Sequence, residues 1–440
     1  MLLPFLSEFD PEVTSEGSLD PLGLYPMADR LASKLVPGLR ERMAHPRFLT
    51  AMAVGNVLCS EFDVDEVAAD GVSEPWQVYE WYVVQALYRT FFKNEPDHIR
   101  GLPGRLKAAA AYDDNVPLSA ARYLKTAYVF GFHGVYRTLA KDINLIDSRG
   151  NLSEFGNQLV TVWEKEQKLE GFYTTNSGDG RALRAALVQA VRYGLQEGAV
   201  AHSWDWNRFE TIARHLAPYK GGHKEMKLIF DAVISSQAPL RKELVEYLCT
   251  KEGADIWKSE KSEKRFHAEL QRKASSELRQ ILEAVDLYEW FCRLLQDAFD
   301  ECLYVMSINE KAAVDTLALG DAVVRASELV PTIFEQVIRL LEPHISTGDF
   351  HETYASLGEV REKRDWLRAL LDLHVTIQRR KPPHGKRPWF EKLDNYHFMI
   401  YLNYKRKTKP QLGEEYVQFY RTAPLWSFLL DFGKVGDEKS

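Results

Sequence analysis

The chain has 440 residues, of which 45% are hydrophobic and 27% charged, and its formal net charge at pH 7 is −7. This length and apolar content predict several hydrophobic cores, and an aromatic content of 12% argues against long disordered tracts. Its longest apolar runs fall short of the roughly 20 residues of a membrane helix, and its start, MLLPFLSEFDPE, lacks the pattern of a signal peptide, so we expect a cytoplasmic protein without a membrane partner.

The N-terminal part of the chain has helical periodicity. Apolar residues recur every three or four positions in PLGLYPMADRLASKLVPG (21–38), which stops at Pro-Gly as an amphipathic helix does. Two further helices are predicted in RFLTAMAVGNVLC (47–59) and in PWQVYEWYVVQALYRTFF (75–92), the second apolar on nearly all sides. Together these segments predict a helical domain over residues 1–112.

Residues 113–171 have the element order of a winged helix-turn-helix. One helix is predicted in LSAARYLKTAY and a second in HGVYRTLAKDINL, followed by a tight hairpin in LIDSRGNLS with Gly150 at its tip. Ser153 is placed to cap a third helix, EFGNQLVTVWEKEQ. Helix, turn, helix, wing and helix is the order that this motif requires.

The rest of the chain is predicted to form a helical domain (172–345) and a basic α+β region (346–440). The breaks GFYTTNSGDG and HISTGDFHE mark the boundaries, and helices such as SELRQILEAVDLYEWFCRLLQDAFDECLYVM lie between them. In the last region REKRDWLRALLDLHVTIQRRK is predicted helical, while NYHFMIYLNY alternates like a strand. The fold class is therefore mainly α and multi-domain, with a central winged helix and a small β element near the C-terminus.

Positive charge is concentrated late in this acidic chain. Between residues 374 and 409, ten Lys and Arg side chains face two carboxylates, a surplus of eight, so the remainder carries −15. Such segregation is typical of a surface that meets a polyanion. The centre of this region is QRRKPPHGKRPWFEK (378–392), in which Trp389 and Phe390 could stack on a base or instead fix the loop to the core.

Two sets of residues are therefore predicted to bind double-stranded DNA. A winged helix inserts its second helix into the major groove, while a basic loop follows the phosphates. The alternatives are a protein-docking winged helix and a solvated basic loop. The first set is Arg122, Lys125, His133, Tyr136, Arg137, Lys141 and Arg149, and the second is Arg379, Arg380, Lys381, Lys386, Arg387, Lys405 and Arg406.

Catalytic patterns are weaker, and the sequence predicts no cofactor. The four cysteines are scattered without zinc-site spacing, and PYKGGHKE (218–225) lacks the ending of a P-loop. His384 and Lys386 only approximate the pattern of phospholipase-D-type nucleases. The acidic cluster Asp63, Asp65, Glu66 and Asp70 is better interpreted as a capping loop, and His202, Asp205 and His215 as ordinary helix residues rather than metal ligands.

The quoted segments SLDPLGLYPMADRLASKLVPGLRERMAHPRFL, LSAARYLKTAYVFGFHGVYRTLAKDINLID and QRRKPPHGKRPWFE resemble little-characterised helical proteins of bacterial anti-phage defence clusters. The resemblance extends to those of the DNA sulfur-modification (phosphorothioation) type. The resemblance implies a protein that works on DNA beside partner enzymes, and it transfers no active-site residue.

We therefore expect a DNA-binding subunit of a defence or DNA-modification system. Whether the chain is itself an enzyme stays open: one alternative is a strand-nicking endonuclease, which would need Mg²⁺ or Mn²⁺, and another is a scaffold that binds only proteins.

Overall fold

A computed structural model describes residues 20–63, 65–175, 177–201, 207–235, 237–381, 384–419 and 421–436. The described chain is mainly helical, with a three-stranded antiparallel sheet near the C-terminus, as the sequence predicted. Within these ranges, helices that combine the length and the apolar content needed to cross a bilayer are absent. The chain divides into two compact units.

The helices are α1 (Tyr25–Leu35), α2 (Phe48–Cys59), α3 (Pro75–Phe91), α4 (Arg105–Asp113), α5 (Ala127–Phe130), α6 (Phe132–Asp142), α7 (Glu154–Glu166), α8 (Asp179–Glu197), α9 (Asn207–Leu216), α10 (His223–Val233), α11 (Pro239–Leu248), α12 (Lys251–Glu260), α13 (Glu263–Gln271), α14 (Ser276–Ile308), α15 (Val314–Leu317), α16 (Asp321–Leu341), α17 (Gly348–Gly358), α18 (Lys363–Arg380) and α19 (Ala423–Asp431). The strands are β1 (Ala312–Ala313), β2 (Phe390–Lys392) and β3 (His397–Ile400).

The first unit joins Met1–Leu35 to Asp255–Phe419. Its centre is α14, a helix of 33 residues whose N-terminus is capped by Ser275 and whose apolar face packs on α1 and α16. The core of this unit draws on α14, α16, α17 and α18 and includes Tyr288, Phe291 and Trp366, all buried. This unit contains the sheet and the whole basic region.

The sheet of the first unit is small because its central strand is short. β3 pairs antiparallel with β1 and with β2, in the order β1-β3-β2. Phe398 and Ile400 point into the core, as the alternation of NYHFMIYLNY predicted. Tyr396 and Leu402, which belong to the same alternation, are 61% and 82% exposed, so the strand ends before them on both sides.

The second unit joins Val36–Ala254 to Tyr420–Ser440. Its helix α3 begins at Pro75 with a capping box between Glu74 and Gln77 and is buried along almost its full length, as predicted. The boundary between the units falls within α12. The four consecutive domains that the sequence suggests stay a prediction, and these two units follow a different division of the chain.

The region 113–171 differs in part from its predicted outline. A helix was predicted over residues 118–128, but residues 118–126 are non-helical and include an isolated bridge between Ser119 and Ala199, and only the single turn α5 follows before α6. The cause of this difference is tertiary rather than local, since the side chains of Leu118 and Tyr123 are buried in the core of the unit.

The predicted hairpin of that region is reduced to a single bridge, whereas the last predicted helix is present as α7. One antiparallel bridge joins Ile146 to Leu152, and the carboxylate of Asp147 accepts hydrogen bonds from the turn between them. Ser153 caps α7 by accepting a hydrogen bond from the N–H of Gly156, as expected. A winged helix therefore stays an interpretation of this region.

Candidate nucleic-acid interface

The basic loop after α18 folds back onto the end of that helix. The carbonyl of Gln378 accepts a hydrogen bond of 2.8 Å from the N–H of Lys386, and the carbonyl of Lys381 accepts one of 2.7 Å from Gly385. Gly385 has a φ of +81°, and a Cβ there would lie 2.8 Å from the carbonyl oxygen of Arg379. Glycine therefore permits this return. The predicted helix stop at 382–383 lies outside the described residues.

Trp389 and Phe390 fix this loop to the core, which is the second of the two roles that the sequence left open. Their exposed fractions are 8% and 3%. The Trp389 ring lies parallel to the ring of Tyr404, with centroids 4.8 Å apart, and also contacts Phe299. Neither aromatic side chain is free to stack on a base in this structure.

A second basic segment lies beside the loop. The guanidinium of Arg387 lies 3.6 Å from the ring centroid of Tyr401, and the N–H of Tyr401 donates to the carbonyl of Trp389. These contacts place residues 401–407 next to residues 384–389. We call the cations of the two segments and of the preceding helix end the basic C-terminal surface: Arg379, Arg380, Lys386, Arg387, Lys405 and Lys407.

Four members of this surface are exposed and carry uncompensated charge. Within the described part of the chain, no hydrogen bond or ion pair engages the side chains of Arg379, Arg380, Lys405 or Lys407. Arg379 and Arg380 lie in the last turn of α18, where cations also complement the helix dipole. Lys381 differs, because its ammonium is half-buried and donates to the carbonyl of Asp20, and burial lowers its pKa.

Two neighbouring cations are turned toward carboxylates of the same unit. Arg406 Nη2 lies 2.9 Å from Asp300 Oδ1. Lys409 Nζ lies 3.4 Å from Asp321 Oδ2 and 3.6 Å from Glu301 Oε1. In the segment 405–409, Lys405 and Lys407, which have no carboxylate partner among the described residues, thus alternate with Arg406 and Lys409, which do. Arg406, one of the residues predicted to bind DNA, is therefore already paired with a carboxylate of its own unit.

Tyr136, predicted to contact bases from α6, lies in the core of the second unit. It is fully buried, and its hydroxyl accepts hydrogen bonds from the backbone N–H groups of Ala44 and His45 at 3.0 and 3.1 Å. Its ring packs against Phe48. In this structure Tyr136 is a packing residue, which the sequence pattern did not distinguish from an exposed aromatic.

The N-terminus of α6 is already occupied by a carboxyl group. Glu80, fully buried on α3, accepts hydrogen bonds from the hydroxyl of Tyr123 at 2.6 Å and from the N–H of His133 at 3.2 Å. Burial raises the pKa of Glu80 to about 7, although these hydrogen bonds oppose the shift. This helix end is therefore closed to a phosphate, which is the ligand expected there in a winged helix.

The remaining predicted residues of the second unit divide into two groups. His133, Arg137 and Lys141 are half-buried on one face of α6. The other three are exposed, and one of them, Arg122, is paired with Asp114 at 3.1 Å. The side chains of Lys125 and Arg149, the other two, have no ion-pair partner among the residues that the structure describes.

Other candidate centres gain no supporting geometry. Within the described ranges no three His, Cys, Asp or Glu side chains are grouped as a metal site. Asp70 caps a turn by accepting hydrogen bonds from the N–H groups of Val72 and Ser73, as the capping interpretation expects. His215 bonds Gln167, whereas His202 and Asp205 lie outside the described residues.

A buried ion pair in the second unit was not among the predictions from the sequence. Arg47 and Glu225 are both fully buried, with Nε and Oε1 2.9 Å apart, and Thr50 donates a further hydrogen bond to that carboxylate. One sequence signal pointed to Glu225. In GGHKE this residue lies three positions after Gly222, where a capping box at the start of a helix has its acidic residue.

Comparisons with protein-family models, with curated proteins and with solved structures gave no match to this chain.

Proposed function

We propose that this protein binds nucleic acid, with duplex DNA as the first candidate, through the basic C-terminal surface. The observation that supports this is the group of exposed cations without carboxylate partners among the described residues, Arg379, Arg380, Lys405 and Lys407, in a chain that is otherwise strongly acidic. Uncompensated Lys and Arg on one surface release counterions from a polyanion, and this release favours binding. An acidic remainder disfavours indiscriminate adhesion to nucleic acid.

The proposed contacts are to the phosphate backbone of the nucleic acid rather than to base edges. The aromatic residues of the loop are in the core, so the accessible groups are charged ends that suit phosphates. Cooperation with partner enzymes of a defence or phosphorothioation system follows only from the sequence resemblance, and it remains part of the proposal.

The test is a mobility-shift titration of duplex DNA at several salt concentrations. We expect the logarithm of affinity to fall linearly with the logarithm of salt concentration. The variant Arg379→Gln/Arg380→Gln should bind all sequences more weakly, and the salt slope should drop by roughly one per lost phosphate contact.

The same helix supplies a matched control. Lys363 and Arg364 lie exposed in the first turn of α18, where Arg364 pairs with Asp315 at 2.6 Å, so Lys363→Gln/Arg364→Gln removes two positive charges outside the basic C-terminal surface. This variant should bind like the wild type. Equal loss of affinity in both variants would show a general charge effect and contradict the assigned surface, and absence of binding at low salt would refute the function.

A supercoiled plasmid incubated with Mg²⁺ or Mn²⁺ separates binding from cleavage. Relaxation that a chelator abolishes would identify a nickase rather than a binding subunit. Co-purification of a protein partner without any nucleic-acid binding would instead identify a scaffold.

A further inference from the structure

Three basic side chains follow one face of α6 in the second unit. His133, Arg137 and Lys141 are four residues apart, so each lies one turn from the next, about 6 Å along the axis. Side chains of a helix lean toward its N-terminus, which brings Lys141 toward Arg137 and Arg137 toward His133. All three are half-buried.

Arg137 stands in the middle of this face without a partner. Its Nε is shielded from solvent and lacks a hydrogen bond, and among the described residues no carboxylate pairs with its guanidinium. Two acids beside this helix have other partners: Glu80 accepts a hydrogen bond from the N–H of His133, and Asp142 pairs with Arg241 at 2.5 Å. A half-buried cation without a counter-charge is costly unless a ligand supplies one.

The pKa values of the two side chains next to Arg137 reflect the same excess of positive charge. Burial and, second, the charge of Arg137 lower the pKa of His133 to about 3, and the same two causes, in that order, lower the pKa of Lys141 while Asp147 opposes them. Trp76 closes the face at the His133 end, where the two rings are stacked with centroids 4.5 Å apart. The face therefore combines a fork of donors, an ammonium and an aromatic wall.

We infer that this face of α6 is a phosphate-binding site, with Arg137 as its principal ligand. A guanidinium donates two parallel hydrogen bonds to phosphate oxygens, and Lys141 adds a point charge one turn away. The site belongs to the second unit, whereas the basic C-terminal surface belongs to the first, so this inference does not depend on the proposed function. The phosphate can belong to a free phosphate ion or to a strand of nucleic acid.

Calorimetric titration of the full chain at constant ionic strength tests the site. The probes are inorganic phosphate and one short single-stranded oligonucleotide, used with and without a 5′-phosphate. We expect Arg137→Gln to weaken binding at least tenfold, since a charge-assisted bidentate contact is lost. Arg137→Lys, which keeps the charge but not the fork, should lie between that variant and the wild type.

Lys107→Gln is the matched control, because Lys107 is an exposed cation on another helix of the same unit, α4, and belongs to neither predicted binding set. It should bind like the wild type, and circular dichroism should verify that every variant is folded. An Arg137-dependent response to inorganic phosphate identifies a free-phosphate site. A response confined to the oligonucleotide identifies a nucleic-acid site, and the 5′-phosphate comparison distinguishes a strand end from a diester.

Two outcomes overturn the inference: no binding of either probe by the wild type, or binding that Arg137→Gln leaves unchanged. The variant Arg379→Gln/Arg380→Gln distinguishes the two proposals, because it should impair duplex binding and leave inorganic phosphate binding intact.

Discussion

The Nε2 atom of His374 accepts a hydrogen bond of 3.0 Å from the backbone N–H of Trp389. The other ring nitrogen, Nδ1, lies 2.9 Å from the carbonyl oxygen of Pro21, which can only accept. Both partners therefore fix the neutral imidazole with its proton on Nδ1. Because His374 is fully buried, it ties the basic loop and the start of the described chain to the core of the first unit.

His374 should make the first unit less stable in acid. Burial lowers its pKa from 6.5 to about 4, so the unfolded chain takes up a proton between these values and the folded chain does not. Stability is then lost as the pH falls from 6.5 toward 4, by up to about 3 kcal/mol. Urea unfolding at several pH values should show this dependence of stability on pH in the wild type but not in His374→Gln. His351→Gln, at an exposed histidine of the same unit, should retain it; an unchanged slope in His374→Gln would contradict the assignment.

Glu80 should give the second unit the opposite pH dependence. Its pKa is raised from 4.5 to about 7 by burial, so its contribution is complete below pH 4.5 and is lost as the pH rises through 7. Relative to the wild type, Glu80→Gln should become more stable by up to about 3 kcal/mol between pH 5 and 8.5. Unfolding curves across that range measure the difference. Glu170→Gln, at an exposed carboxylate, should show no such trend, and a flat difference for Glu80→Gln would refute the argument.

The buried pair of Arg47 and Glu225 should show strong coupling. Replacing Arg47 by Met leaves a buried carboxylate without its counter-charge, which should cost about 3–5 kcal/mol of unfolding free energy. The double variant Arg47→Met/Glu225→Leu removes both charges and should lose less than the sum of the single variants. Arg214→Gln breaks an exposed pair with Glu210 and should cost under about 1 kcal/mol. Additive losses in the double variant would rule out the coupling.

Sequence periodicity predicted the long elements well, because α3, α14 and α18 bury continuous apolar faces. It predicted a helix at residues 118–126 wrongly, because there tertiary contacts of Tyr123 and Leu118 outweigh local propensity. Charge counting located the basic region. It did not reveal that Arg406 and Lys409 meet Asp300 and its neighbours, since pairing depends on residues about a hundred positions away.

The pairing of Arg406 with Asp300 should restrain nucleic-acid binding, if the proposed function holds. A polyanion must compete with Asp300 for that guanidinium, and an exposed ion pair contributes about 0.2–1 kcal/mol. Asp300→Asn should therefore bind duplex DNA more tightly at low salt, by up to about fivefold, and the gain should vanish at high salt as screening increases. Asp349→Asn removes the same charge from a carboxylate paired instead with Arg30. If both variants tighten binding equally in the mobility-shift titration, net charge alone is responsible; if only Asp300→Asn does, Arg406 is held back from the ligand by its carboxylate partner.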